Sequence, residues 1–266
     1  MPDDFRWRDD GYVPQRAMII MAHPDDIEFS CAGTVARWTD GGCAVCYVLV
    51  TSGDGGIETA GMTRAGAAEI REAEQRAAAA ALGVTEIVFL REPDGMVENT
   101  MALRKQLVRE IRRFRPEAVI TLDPAALWVA EDYINHPDHR AVGMAAVDAV
   151  FPASGQPNVF EELADEGLAA HKVRRLYAVA FGPEGVNVVV DIGSTLERKL
   201  EALRYHQSQF AGWDPEPRIR EWSAEAAMDT PHAHVERFRM VRLITDEEFE
   251  RRRTPAPIGH PPPPRL

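Results

Sequence analysis

Six short apolar runs punctuate the chain: RAMIIMA (16–22), AVCYVLVT (44–51), EIVFL (86–90), AVITLD (118–123), RRLYAVAF (174–181) and NVVVDI (187–192). All six read as strands. Between the first four lie SCAGTVARWTDGG, TRAGAAEIREAEQRAAAAALG and NTMALRKQLVREIRRF, where apolar residues recur at helical spacing and each stretch ends near Gly or Pro. Strand and helix in alternation predict parallel pairing through crossover helices. The early strands are continuously apolar rather than alternating, as expected of a sheet covered on both sides. The expected fold is therefore α/β: three-layer and Rossmann-like, with a mostly parallel sheet and helices on both faces.

Later segments fit this scheme less neatly. RRLYAVAFGPEGVNVVVDI predicts two strands joined by a Gly-Pro turn, and so an antiparallel addition at the sheet edge. A helix over TLERKLEALRYHQSQF and a second helical stretch near 215–228 follow. No supersecondary unit repeats. A single domain is expected over residues 1–250, followed by a Pro-rich, disordered tail over 251–266. The six prolines of TPAPIGHPPPPRL cannot pack as regular structure, and His260 among them is expected to be idle.

At 266 residues and 45% hydrophobic, the chain can bury one large core. A formal net charge of −12 argues against nucleic acid as a partner, because phosphate-backbone binders need clustered Lys and Arg. No apolar stretch approaches the roughly 20 residues of a membrane span. The first residues carry four aspartates and no apolar leader, so a cytoplasmic protein is expected. Cys31, Cys43 and Cys46 are too few for a disulfide scaffold. CAVC (43–46) has the spacing of a redox or zinc pair, but it lies in a strand-like run with no second pair to complete four ligands. All three are expected as reduced, buried small hydrophobes.

Two polar clusters carry the chemistry. MAHPDDIEFS (21–30) places His23, Asp25 and Asp26 where the first strand ends. EDYINHPDHRAVG (131–143) follows the fourth strand and opens a helix, with Pro137 at its first position, His136 as N-cap and His139 in the first turn. In open parallel sheets, loops at the carboxyl ends of strands gather around one crevice, so the two clusters can meet. A His/Asp/His set satisfies the three-ligand count of a catalytic zinc site. One of the paired aspartates can ligate while its neighbour faces bound water as a general base. Taken singly, either cluster could be a mere Pro-Asp turn or helix cap. Two His-Pro-Asp tripeptides, each at a strand end, favour a shared metal site.

AHPDDIEFSCAGTVARW together with HPDHRAVG resembles the LmbE-like (PIG-L) family of zinc-dependent N-deacetylases, and the likeness runs over most of residues 17–240. Members release acetyl groups from N-acetylglucosamine units of small glycoconjugates and of chitin disaccharide. The resemblance implies His23, Asp26 and His139 as zinc ligands, Asp25 as general base and His136 beside the substrate carbonyl. One departure is that many members place Glu directly after the paired aspartates, whereas here Ile27 precedes Glu28. Arg71, Asp94, Asn135 and His234 are expected to contact substrate, His234 across a homo-oligomer interface as in some members. Trp128 and Tyr133 could stack on a sugar ring, and Gly53, Gly55 and Gly56 suggest close backbone approach or a mobile lid. Two other readings remain: a zinc amidase that cleaves a larger amide of a thiol-sugar conjugate, and a non-catalytic sugar-binding protein.

Overall fold

The computed structural model describes residues 8–131, 133–210 and 212–253. The first half of the chain runs β1 (Arg8–Asp9), β2 (Arg16–Met21), α1 (Asp26–Ser30), α2 (Ala32–Asp40), β3 (Ala44–Thr51), α3 (Arg64–Ala81), β4 (Glu86–Glu92), α4 (Met101–Phe114) and β5 (Ala118–Leu122). After it come β6 (Trp128–Ala130), β7 (Tyr133–Ile134), α5 (Pro137–Val150), α6 (Glu162–Asp165), β8 (Arg175–Val179), β9 (Val188–Asp191), α7 (Leu196–Leu203), α8 (Glu216–Ala226), β10 (Val235–Arg242) and α9 (Asp246–Arg253).

Among the described residues the main sheet has eight strands in the order β1-β9-β10-β8-β5-β2-β3-β4. Strands β8, β5, β2, β3 and β4 are mutually parallel, as the strand–helix alternation predicts. Helices α2, α3 and α7 pack together over one face, while α4 and α5 pack together on the other, α5 lying against β2 and β5. Met18, Ile19, Ile20 and Met21 of β2, shielded on both sides, are wholly buried. Helix starts follow the cap residues: Thr63 Oγ1 accepts from Gly66 N (3.1 Å) ahead of α3, and Thr100 Oγ1 from Leu103 N (3.1 Å) ahead of α4.

The structure departs from expectation in several places, one being that the helix expected over TLERKLEALRYHQSQF ends at Leu203 and is followed by a 3-10 turn at Gln207–Gln209. An additional short helix, α1, precedes the one expected over SCAGTVARWTDGG, which forms as α2 from Ala32 to Asp40, and the carboxylate of Glu236 accepts the N–H groups of Gly33 (2.9 Å) and Thr34 (2.7 Å) in the first turn of α2. β8 and β9 do not form a hairpin. β10 lies between them, antiparallel to both, with Val235–Phe238 against β9 and Phe238–Arg242 against β8. Finally, residues 251–253 close α9 instead of opening the tail; the rest of the tail, His260 included, lies outside the described residues. All three cysteines are free and buried, and burial pushes each thiol up. Among the described residues no helix is long and apolar enough to cross a membrane.

Candidate active site

From β2 the chain returns to one side of it as β3 and, after β4, to its other side as β5, so the strand order reverses between β2 and β5. Loops at the carboxyl ends of that pair must flank a crevice. Residues 22–26 leave β2 there. The segment after β5 passes through the β6–β7 ribbon and turns into α5 at His136, whose Nδ1 accepts the Asp138 N–H (3.2 Å) as an N-cap. Pro137 at the first helical position fixes the entry, and His139 faces back toward β2.

The two clusters do converge. Asp26 Oδ2 accepts the backbone N–H groups of Ala22 (3.1 Å) and His23 (2.8 Å), which locks its carboxylate. Its Oδ1 lies 3.0 Å from His139 Nε2, its Oδ2 lies 3.5 Å from His23 Nδ1, and the two ring nitrogens face each other at 3.3 Å. Each imidazole is held from behind. His139 Nδ1 donates to Asn135 Oδ1 (2.9 Å), leaving the Nε2 lone pair of the neutral ring turned toward Asp26, while His23 Nε2 meets Asp94 Oδ1 (3.1 Å) and Asp138 Oδ2 (3.3 Å). His136 packs edge-on to the His23 ring at 4.7 Å, and ring nitrogens of His23, His136 and His139 lie within 4.8 Å of one another.

The electrostatics follow from this crowding. Burial works against the His23 cation, but Asp26, Asp138 and Asp94 overcome it and push the imidazole up to about 12. Burial also opposes charge on Asp26, yet His139 and His23 hold its carboxyl well below the usual range. Asp94 falls to about 2: burial opposes its charge, but the His23 hydrogen bond and charge and the Gly55 N–H outweigh burial. For Asp138, burial is likewise outweighed by His23 and the N–H groups of Gly95 and Val97. His136 is moved down, first by burial and then by the His23 charge. Its Nδ1 accepts a backbone N–H, so the neutral ring carries its proton on Nε2 as a free donor. The carboxylates therefore enclose a place that calls for positive charge. The donors facing it are two imidazole nitrogens and one carboxylate oxygen, a set suited to a divalent transition metal.

Asp25 stands beside this centre in a strained conformation, φ 95° and ψ −27°, which a residue with a Cβ adopts only when its surroundings impose it. Helix α3 imposes it from two positions one turn apart. Gln75 Oε1 accepts the Asp25 N–H (3.0 Å), while Arg71 Nη2 donates to Pro24 O (2.6 Å) and Asp25 Oδ2 (3.2 Å). Burial pushes the Asp25 carboxyl up to about 6 despite Arg71, and 15% of its side chain reaches solvent.

The other residues singled out in the sequence are placed as follows. Arg71, expected on sugar hydroxyls, is 4% exposed and spends its guanidinium on Asp25 and on Pro24 and Gly53 carbonyls. A Cβ at Gly53 or Gly56 would meet Arg71 Nη1 at 2.3 or 2.2 Å, so this loop makes the close backbone approach its glycines suggested. Asn135, also expected on substrate, is buried and orients His139 while donating to Ala126 O (2.8 Å). Asp94 reaches the cluster through His23. His234 does not join these contacts; its Nδ1 pairs with Ser223 Oγ of α8 (2.9 Å). Trp128 and Tyr133 sit exposed on the ribbon that leads into α5. Asp138 and Gln75 were missed as site residues. Asp138 had a signal, as the aspartate of the second His-Pro-Asp; Gln75 had only its place one turn after Arg71.

The profile of the GlcNAc-PI de-N-acetylase (PIG-L) family matches residues 18–150. Diacetylchitobiose deacetylase of Thermococcus kodakarensis is 33% identical over 242 residues, spanning 90% of this chain and 87% of that protein. A probable N-acetyl-alpha-D-glucosaminyl L-malate deacetylase 2 of Bacillus anthracis is 28% identical over 212 residues, 74% of this chain and 82% of its own. Among solved structures, the N,N'-diacetylchitobiose deacetylase of Pyrococcus horikoshii superimposes with a TM-score of 0.79 at 29% identity, over 86% of this chain and 84% of that one.

Proposed function

Because the chain belongs to the PIG-L family of de-N-acetylases, we propose that it is a zinc-dependent hydrolase that removes the acetyl group from an N-acetylglucosamine unit of a small glycoconjugate or chito-oligosaccharide. The observation that carries this is the meeting of His23 Nδ1, Asp26 carboxylate and His139 Nε2, all within 3.0–3.5 Å of one another. These three would hold the metal. Two imidazoles and one carboxylate suit zinc, and three protein ligands leave a position for water. When bound there, zinc supplies Lewis acidity, making water acidic near neutral pH and polarising the acetamide carbonyl.

The remaining steps belong to the chain's own side chains. Asp25, poised near neutrality, takes a proton from the attacking water and later returns it to the departing amine. His136 donates its Nε2 proton in a hydrogen bond to the oxygen that gains charge as the carbonyl carbon becomes tetrahedral. Asn135, Asp94 and Asp138 keep the ring nitrogens aimed, as outer partners of metal ligands do. Acetate and a free amino sugar leave.

The test is to supply the zinc-loaded protein with diacetylchitobiose and with N-acetylglucosaminyl conjugates, and to follow free amine and acetate. Turnover is expected in the wild type. In Asp25→Asn it should fall by about 10²–10⁴-fold with zinc still bound. Undiminished turnover in Asp25→Asn would reject the base, and full zinc occupancy in His139→Ala would reject the ligand set.

A further inference from the structure

Behind Asp25 runs a chain of buried polar groups that the reaction above does not use. The Asp25 N–H donates to Gln75 Oε1 (3.0 Å), Gln75 Nε2 donates to Glu28 Oε1 (3.0 Å), and His206 Nε2 donates to Glu28 Oε2 (3.0 Å). Gln75, Glu28 and His206 are each 0% exposed. Burying a carboxyl, an amide and an imidazole together costs stability unless every group is satisfied, and still His206 Nδ1 has no partner among the described residues. A fold that needed only to fill this space would use apolar side chains of the same volume. The polarity of the chain is also directional. Between an N–H on one side and a carboxyl on the other, the Gln75 amide has a single satisfactory orientation. His206 is itself pinned, because the next turn is held to α3 by Ser208, whose N–H (2.8 Å) and hydroxyl (2.6 Å) both donate to Glu74.

We propose that Gln75, Glu28 and His206 are positioning residues that hold the backbone of Asp25 in its left-handed conformation and thereby aim the base carboxylate into the site. This rests on the assignment of Asp25 as the base. Arg71 grips the carboxylate and the preceding carbonyl, and Gln75 grips the one backbone donor of the same residue, so rotation about Asp25 is blocked from both ends. Without the amide, the strain at φ 95° is relieved by turning the peptide, which swings the carboxylate away. Metal ligation, which depends on Asp26 and the two imidazoles, is left in place.

Gln75→Met keeps the length of the side chain and removes both polar atoms. It is expected to lower kcat about 10- to 100-fold, with KM changed by less than about twofold and zinc still bound stoichiometrically. In the metal-free protein, amide exchange over residues 22–27, read by mass spectrometry, should quicken at least about tenfold in this variant. His206→Leu should lose kcat in the same way, and His206→Gln, which offers an amide donor near the place of Nε2, should recover most of it. A kcat within about twofold of wild type in Gln75→Met, or a loss matched by loss of zinc, overturns the proposal. If Gln75→Met does not fold, the His206 pair decides, and equal kcat in the Leu and Gln forms overturns it. A wild-type protein without deacetylase turnover would instead overturn the assigned reaction, and unchanged exchange in metal-free Gln75→Met would still refute the positioning.

Discussion

Gly143 offers a sharp test of how the second cluster is held. It lies one turn after His139 on α5, where that helix crosses the end of β5. A Cβ built there would meet Leu122 O at 2.6 Å, Pro124 N at 3.1 Å and Leu122 C at 3.2 Å, all backbone atoms that cannot rotate away. To reach ordinary contact the first of these must open from 2.6 to at least 3.4 Å, so α5 must move by about 0.8 Å. In an unhindered helix interior, Gly→Ala stabilises by about 1 kcal/mol. Overpacking against backbone costs up to about 3 kcal/mol, so Gly143→Ala should lose about 2 kcal/mol net, or roughly 4–8 °C in Tm for a chain of this size. The same movement carries His139 away from Asp26 and His23. Misplacement near 1 Å can cost about 10²-fold in rate, and zinc affinity should weaken alongside. Thermal unfolding of the metal-free protein, zinc titration and turnover read the three effects separately. A Gly143→Ala protein with a raised Tm and wild-type zinc affinity would refute the claim that this crossing sets the His139 position.

Other outcomes follow from single contacts. His136→Asn keeps an N-cap acceptor for Asp138 N–H but removes the ring donor, so kcat should fall about 10²–10³-fold with little change in Tm; unaltered kcat would exclude His136 from oxyanion stabilisation. Burial opposes the His206 cation, but Glu28 outweighs it and raises the ring above its ordinary value. That pair therefore stabilises the fold fully below the ordinary histidine range and ceases to do so as pH rises through the raised value. The gap in urea midpoint between wild type and His206→Gln should accordingly be widest in mild acid and narrow toward alkaline pH; a gap that widens with pH contradicts the assignment. Thr100→Ala removes the acceptor for Leu103 N–H at the start of α4, costing about 1 kcal/mol in urea unfolding with turnover unchanged, and a changed kcat would mean that α4 touches the site in a way the contacts do not suggest.

The parallel half of the fold was legible because its strands are uninterrupted apolar runs, and AVCYVLVT (44–51) matches β3 residue for residue. β10 was not legible, since VERFRMVR mixes charged and apolar residues without a clean two-residue period, and its place between β8 and β9 is decided by pairing, not by local pattern. The two His-Pro-Asp tripeptides were visible because imidazole and carboxylate stood directly against strand and helix ends. Which nitrogen of His139 faces inward was not visible, because Asn135 Oδ1 decides it through space. Arg71 and Asn135 are expected on substrate from the sequence because nothing in a linear sequence reveals that a guanidinium or amide already donates to backbone carbonyls.

The staggered pairing of β10 bears on how the chain emerges from the ribosome. Until residues 235–242 have been made, β8 and β9 have no strand between them, and each presents an unpaired edge. Both His-Pro-Asp tripeptides, α5 and the β2–β5 junction are complete long before then, so a nascent chain can shape the half that carries them while its far flank stays open to sticking. Glu236, arriving with that late strand, then caps α2 and pairs with Lys199 of α7 (2.6 Å), closing the flank with a buried charge that only the finished polypeptide can supply.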